Sequence, residues 1–450
     1  MTHSRPVRSL ALLFAAVCLV AMNMRMTITG IGPLLDEIAR AEGVAPAVLG
    51  GLASIPLVAW AVVSPFAHAL SVRLGLERAV AWSLVALGLG TIWRSLPGGT
   101  VHLWLGTAFI GAALAIGNVL LPAVIRRDFH ARIPAVMGVY TALLGGFGAV
   151  ASALVVPISH APAPWGAAVG AALGGGAGEL GWRIALLSTG ALIPFALLLW
   201  VLATARPRSE RTAARADAVA AAAETSTADA VAAAGAGRGT APASPRTLAR
   251  IWRDPVAWSV ALYMGSQSLG FYMISTWLSP IEISAGRPAV EAGFDVALYQ
   301  IAGIAGSLLL PLLYRGRLRR WLAAVLPIFI GLSFACIVLQ FGPTLPWVVL
   351  GGIASGSSLS ISLMFMAIRA KDTQGASALS GMAQAVGYLI AATGPAAFGL
   401  AHALSGGWIA PLCVLLTAML AQLVIGLFVG RDRCVFDGEG AGSGAGSGAR

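Results

Sequence analysis

Apolar runs long enough to cross a lipid bilayer recur twelve times along the chain, and no other property restricts its folding as severely. They lie at 10–35, 47–72, 79–97, 101–125, 134–158, 182–204, 256–283, 292–314, 321–341, 346–368, 376–402 and 408–430. About 20 apolar residues wound as a helix match the hydrocarbon thickness. Inside lipid every backbone N–H and C=O must be satisfied within the segment, which leaves only helices or closed barrels, and continuous runs of this length are helical. The expected fold is an all-α membrane protein of twelve transmembrane helices. With 58% hydrophobic and 10% charged residues, the composition is far from that of a soluble domain. The first run follows Arg5 and Arg8 and imitates a secretory signal, with a faintly lipoprotein-like site at Ala15-Ala16-Val17-Cys18. It is too long for a signal core, and eleven further runs follow it.

Charge distribution sets the orientation. The net charge of +11 could suggest nucleic acid, yet no basic patch with interleaved aromatics occurs. All but five of the 29 Lys and Arg fall on the side that holds the N-terminus. The exceptions are Arg40, Arg94, Arg183 and Arg287 outside and Arg25 in the membrane. By the positive-inside rule both termini are cytoplasmic. Cys18, Cys336 and Cys413 lie in spans and Cys434 in the tail, with no Cys-x-x-Cys pair, so neither a disulfide nor a metal site is expected. No phosphate loop and no catalytic cluster of His, Asp or Glu stands out, which argues against an enzyme and against a bound cofactor.

Residues 205–253 change to an Ala-rich stretch studded with Gly, Thr, Ser and charge, and divide the spans six and six. The expected organisation is a six-helix half over 1–204, a cytoplasmic linker over 205–253, a second six-helix half over 254–430 and a disordered Gly/Ser tail over 431–450. The halves carry a faint duplication. At an offset of 243, Ile125-Arg126 matches Ile368-Arg369, while Ala135, Gly138 and Ala142 match Ala378, Gly381 and Ala385.

Arg25 is the residue without an ordinary explanation. A guanidinium near the bilayer centre costs ~2.5–3.5 kcal/mol even on lenient insertion scales. Asn23, Thr27, Thr29, Gly30, Gly32 and Pro33 around it make the run too polar for a lipid anchor. The acids nearest to spans, Asp36, Glu37, Glu282, Glu291 and Asp295, all fall at outer ends, so no internal ion pair is expected for it. Arg25 is therefore read as receiving a small anion or a polar planar group through paired donors. The competing reading is that helix-end carbonyls satisfy it and it only ties helices together.

The twelve runs in two sets of six, with a long central loop, resemble the major facilitator superfamily. Asn23-Met24-Arg25 leading to Gly32-Pro33-Leu34-Leu35 is similar to the first-span pattern of the cyanate permease and 2-nitroimidazole transporter family. So are Ile116 to Pro122 with Arg127-Asp128-Phe129, Gln267-Ser268, Trp277 to Pro280, Ala378 to Tyr388, Gly394-Pro395, and Gly407-Trp408 through Pro411. The chain departs from the family pattern at Met26, where proline is usual. In the loop after span two, His68 and Val72 stand where a glycine and an acid are usual, which questions the acid-dependent gating contact there.

The resemblance implies two pseudo-symmetric six-helix halves, a secondary transporter of the bacterial inner membrane working by alternating access, and a central path lined by spans one, four, seven and ten. On that path and beside it, the expected substrate-binding residues are Arg25, Asn23, Asn118, Tyr140, Gln267, Gln384 and Tyr388. The expected partners are a small anionic or nitro-bearing substrate and the bilayer, with proton coupling open and a monomeric state. Broad xenobiotic efflux is the rival within transport, and a non-transporting receptor the rival outside it. Trp277 is expected in an interfacial aromatic belt.

Overall fold

The computed structural model describes residues 7–129, 132–164, 166–176, 178–205, 249–316, 318–370, 373–431 and 433–436. Among them the helices are α1 Val7–Thr29, α2 Leu35–Glu42, α3 Pro46–Leu74, α4 Leu76–Arg94, α5 Thr100–Asp128, α6 Ile133–Ser159, α7 Ala167–Ala172, α8 Gly181–Ser188 and α9 Ile193–Thr204. After the linker come α10 Pro255–Ser284, α11 Ala289–Leu313, α12 Leu318–Val338, α13 Thr344–Ile368, α14 Thr373–Ser405 and α15 Ile409–Val429. Ten stretches are long and apolar enough to cross a membrane, with α8 and α9 forming one of them. Helices α4 and α10, of 19 and 30 residues, also have spanning length. Each of the twelve runs read from hydropathy falls on one of these elements. Most of the linker expected over 205–253 lies outside the described residues.

Within the first half α1 packs on α6 and α9, and α5 packs on α3 and α4; within the second, α10 packs on α14 and α15, and α13 on α11 and α12. The two largest contacts between the halves are α3 against α14 and α6 against α11, with smaller ones where α3 and the turn at Gly32–Leu34 meet α10. Second and fifth spans meet fifth and second, so these are one contact repeated about a pseudo-twofold axis. This is the arrangement of halves that the resemblance to the major facilitator superfamily implies.

The face where α1 begins and α15 ends is here called terminal, and the opposite face distal. At the distal face the halves interlock at backbone distance. A Cβ on Gly32 would stand 2.7 Å from the Ser275 carbonyl oxygen, and one on Gly50 would stand 2.7 Å from both the Pro395 carbonyl oxygen and the Trp277 ring. A Cβ on Gly399 would meet that ring at 2.6 Å and the Ala47 carbonyl oxygen at 2.9 Å. Distal residues Leu34, Leu49, Leu52 and Val156 of the first half accordingly join the hydrophobic core of the second, alongside Trp277 and Leu278. Toward the terminal face, Gly138 on α6 and Gly381 on α14 have open space around them. The halves are thus in close contact at the distal face, while a Cβ on Gly138 or Gly381 would find free space.

Trp277 is thus no belt residue. It is fully buried, its Nε1 donates to the Pro395 carbonyl at 2.9 Å, and its ring fills the seam between the halves. The outer acids are not simply solvated either: Glu282 and Asp295 are buried beside Arg287, which also reaches Glu291. Arg94 and Arg183, counted outside by sequence, are buried at the distal end of the first half. The start of the expected tail is docked. The Val435 N–H donates to the Arg369 carbonyl at 2.8 Å, and the Phe436 N–H to Asp254 Oδ2 at 2.7 Å, the same aspartate that caps α10.

Candidate functional site around Arg25

The site begins with the way α1 ends. In a continued α-helix the Ile31 N–H would bond to the Thr27 carbonyl, but it bonds instead to Ile28 at 3.3 Å, and a 3₁₀ turn at Gly32–Leu34 follows. Pro33 has no N–H to give, and Gly32 is pressed against α10, so the helix cannot run on. The carbonyls released by the break are taken by other elements. Arg94 Nη1 donates to the Thr27 carbonyl at 2.6 Å, and Ser152 Oγ to that of Thr29 at 3.3 Å. Ser152 in turn accepts from Gln300 Nε2 at 2.9 Å, across the boundary between the halves. The last turn of α1, which carries Arg25, is therefore held from three sides.

Arg25 is half-buried, and among the described residues no carboxylate or carbonyl pairs with it. Its guanidinium carbon lies 5.7 Å from the ring centroid of Phe271 and 6.0 Å from that of Tyr272, both on α10. Tyr140 on α6 and Tyr272 on α10 belong to one cluster of buried side chains with Trp60 of α3, and Tyr388 on α14 packs against that cluster. Phe271 and Tyr272 pack edge to face at 5.1 Å, and Tyr388 packs the same way on Trp60 of α3 at 5.2 Å. Five helices thus place aromatic rings and one unpaired cation about a common centre. Gly148 of α6 lets α1 come this near, because a Cβ there would stand 2.8 Å from Gln300 Oε1 and 3.4 Å from the Cβ of Arg25.

Of the residues expected from sequence, the structure brings Arg25, Tyr140 and Tyr388 together. Tyr140 is buried, with its hydroxyl 3.8 Å from Met24 Sδ. Asn23 is fully buried and donates to the Leu19 carbonyl of its own helix at 2.7 Å. Gln267 is buried, with its Oε1 accepting from Ser268 at 3.2 Å, while the exposed Gln384 donates to Ser380 Oγ at 2.9 Å. Asn118 is half-buried on α5. None of these four is bonded to Arg25 among the described residues.

Phe271, Tyr272 and Trp60 were not singled out, since an aromatic residue in an apolar run reads as packing. Their spacing gives no signal until α10 and α3 are placed against α1. Arg94 was also missed. It is fully buried, and its Nε and Nη2 lack a partner, so the interior of the first half carries two guanidinium groups with no carboxylate paired to either among the described residues.

Comparison with known proteins agrees with this architecture. The Major Facilitator Superfamily profile matches residues 13–395. The chain is 35% identical to the 2-nitroimidazole transporter of Escherichia coli K12 over 94% of this chain and 96% of that protein. It is 25% identical to the cyanate transport protein CynX of the same organism, over 91% and 94% respectively. A bacterial homolog of the human lysosomal transporter Spinster superimposes with a TM-score of 0.69 at 15% identity, covering 94% of this chain and 95% of that one. The chain is a transporter of the major facilitator superfamily, in the branch that holds the 2-nitroimidazole and cyanate transporters.

Proposed function

We propose that the protein moves a small anion or a small polar heteroaromatic compound across the bacterial inner membrane by alternating access, with the substrate held at Arg25. The carrying observation is the half-buried Arg25 guanidinium, free of any carboxylate among the described residues and set against the Phe271 and Tyr272 rings. A buried cation without a counter-ion is costly, and an anion or a nitro group arriving there removes that cost. The fully buried Arg94 adds a second positive charge to the same half, which favours negative and disfavours cationic substrates. Aromatic walls on α3, α6, α10 and α14 favour a planar π-system over a bare linear anion. The compounds named for the two relatives, a nitroimidazole and cyanate, fit both requirements to different degrees. Both termini face the cytoplasm in this reading, so the terminal face is the cytoplasmic one.

A thermal-shift screen of the detergent-purified protein tests the proposal, using cyanate, nitrate, benzoate, 2-nitroimidazole and a lipophilic cation. Ligand at about a hundred times its dissociation constant stabilises by ~2.7 kcal/mol, a readable rise in Tm. The expected result is a shift with benzoate or 2-nitroimidazole that disappears in Arg25→Gln. A shift with the lipophilic cation alone would overturn the reading in favour of xenobiotic efflux.

A further inference from the structure

Glycines bring α6 and α11 close together along the seam between the halves. A Cβ on Gly145 would stand 3.0 Å from the Ile304 side chain, and one on Gly293 would stand 3.1 Å from the Ser152 carbonyl oxygen. Between these points the seam carries a buried polar contact. Gln300, 6% exposed, donates from Nε2 to Oγ of the fully buried Ser152 at 2.9 Å, which joins the second half to the first. Ser152 passes the contact on, since its hydroxyl lies 3.2 Å from the Gly148 carbonyl and 3.3 Å from that of Thr29. Thr29 Oγ1 in turn donates to the Gly148 carbonyl at 2.8 Å and lies 3.1 Å from the carbonyl of Arg25 itself. A polar path thus runs from α11, through α6, to the backbone of Arg25. It is short, because a single Cβ on Gly148 would stand 2.8 Å from Gln300 Oε1 and 3.4 Å from Arg25 Cβ. A hydroxyl has one proton, which rotates to suit its partners. By occupying the Ser152 oxygen, the Gln300 N–H turns that proton toward the two carbonyls and fixes the last turn of α1 against α6. Gln300 does this only while α11 lies on α6.

Resting on the reading of Arg25 as the substrate site, we propose that Gln300 is a positioning residue that couples the grip of Arg25 to closure of the distal seam. With the seam shut, Gln300 braces Ser152, and Arg25 is held ready for its ligand. When the halves part, the brace is withdrawn and the turn that carries Arg25 loosens. A site ordered in advance binds more tightly than one that must be ordered on binding, so affinity is greater in the distally shut state. Coupling between two equilibria is reciprocal, and bound substrate therefore holds the distal seam closed by the same factor. Gln300 acts through Ser152 and Thr29 and touches no substrate.

The test reads seam opening and binding separately on the full chain. In a background lacking the native cysteines, Ser275→Cys at the distal seam is labelled in liposomes by an impermeant maleimide applied from the distal side. Rates are taken with and without saturating benzoate or 2-nitroimidazole, and calorimetry in detergent gives the affinities. With Gln300 in place, ligand should slow labelling about threefold or more, the scale of one interhelical hydrogen bond in lipid. Gln300→Leu keeps the side-chain volume and has no donor. It should label faster without ligand, bind about threefold or more weakly, and label at nearly the same rate with ligand as without. A purely structural role would speed labelling yet leave the ligand's slowing factor intact, which overturns the inference. So does a Gln300→Leu protein that loses binding altogether, because Gln300 would then be a direct ligand. Ser152→Ala should also abolish the slowing, and adding Gln300→Leu to it should change the slowing factor no further. Additive effects overturn the path through Ser152. Ser152→Ala carries the test by itself if Gln300→Leu does not fold, and failure of both to fold makes the network structural and removes the proposal. If ligand binds with Gln300 in place but leaves labelling unchanged, the Arg25 site stands and the coupling falls. If neither compound binds, the reading of Arg25 fails and the inference with it.

Discussion

Arg183 and Arg94 show two ways of burying a guanidinium at the distal end of one half. Arg183 bonds closely to Glu42, donates to the Leu96 carbonyl at 2.6 Å and lies over the Trp182 ring at 4.3 Å. Among the described residues Arg94 has only the Thr27 carbonyl. Removing one member of a buried pair leaves the other uncompensated, at a cost of ~3–5 kcal/mol, whereas removing both is close to neutral when the volume is filled. Glu42→Ala should therefore lower the Tm of the detergent-solubilised protein strongly, and Glu42→Leu with Arg183→Met should recover most of it. A double variant as unstable as the single one would show that Arg183 is held by Leu96 and Trp182 rather than by its charge partner. At this scale the sequence was informative where a residue broke a pattern. Arg25 stood out because it was alone in an apolar run. Arg94 and Arg183 did not, because a cation within a turn of a span end looks solvated until the neighbouring helix ends are known. Tyr272 and Trp60 matched their apolar surroundings and so left no mark.

At the scale of elements, hydropathy located every long helix among the described residues, since length and continuity of apolar residues are properties of the chain by itself. It could not say which glycines bring helices together. Along α11 and α13 the contact is backbone on backbone: a Cβ on Gly356 would stand 1.8 Å from the Gly303 carbonyl oxygen, and one on Gly306 2.1 Å from that of Ile353. Gly356→Ala must push the helices apart and should destabilise by more than the ~1–3 kcal/mol of ordinary overpacking, giving little folded protein in a size-exclusion profile. Gly138→Ala meets nothing within 4 Å and should fold normally, with the ~0.5–1 kcal/mol that alanine gains over glycine in a helix. Equal yields for the two variants would show that the seam can yield.

The distal segment between α6 and α8 has its own anchor. Glu179 accepts from the Gly176 N–H at 2.9 Å and from His160 Nδ1 at 3.2 Å, and these bonds, the backbone one foremost, hold its carboxyl below the ordinary glutamate range. His160 also reaches Glu37 of α2 at 3.1 Å. A carboxyl lowered in the folded state adds stability above its unfolded value and loses it as pH falls through the folded one. Hydrogen exchange in the distal segment should therefore quicken below about pH 4, while the spans stay protected. Exchange independent of pH, after correction for the intrinsic rate, would remove Glu179 from the role of anchor.

For the whole molecule, what matters is that the halves meet at backbone distance at the distal face. Gly32, Gly50 and Gly399 each occupy a place where only hydrogen fits, all at the distal end, whereas Gly138 and Gly381, matched in the duplicated sequence, stand free toward the other. In the proposed cycle the distal seam must part and the terminal face close, so the seam glycines bear on one state alone. A methyl group on Gly50 collides with the Pro395 carbonyl and the Trp277 ring only while the seam is shut. A penalty of ~1–3 kcal/mol confined to that state moves the population roughly 5- to 150-fold toward the distally open one. Gly50→Ala in a background lacking the native cysteines, with Ser275→Cys as reporter, should label faster with a membrane-impermeant maleimide applied from the distal side. Substrate flux should fall as the return step slows, while the ligand-induced thermal shift at Arg25 persists. Unchanged labelling with a lowered Tm would mean that the seam is fixed packing and that access to Arg25 alternates by another motion.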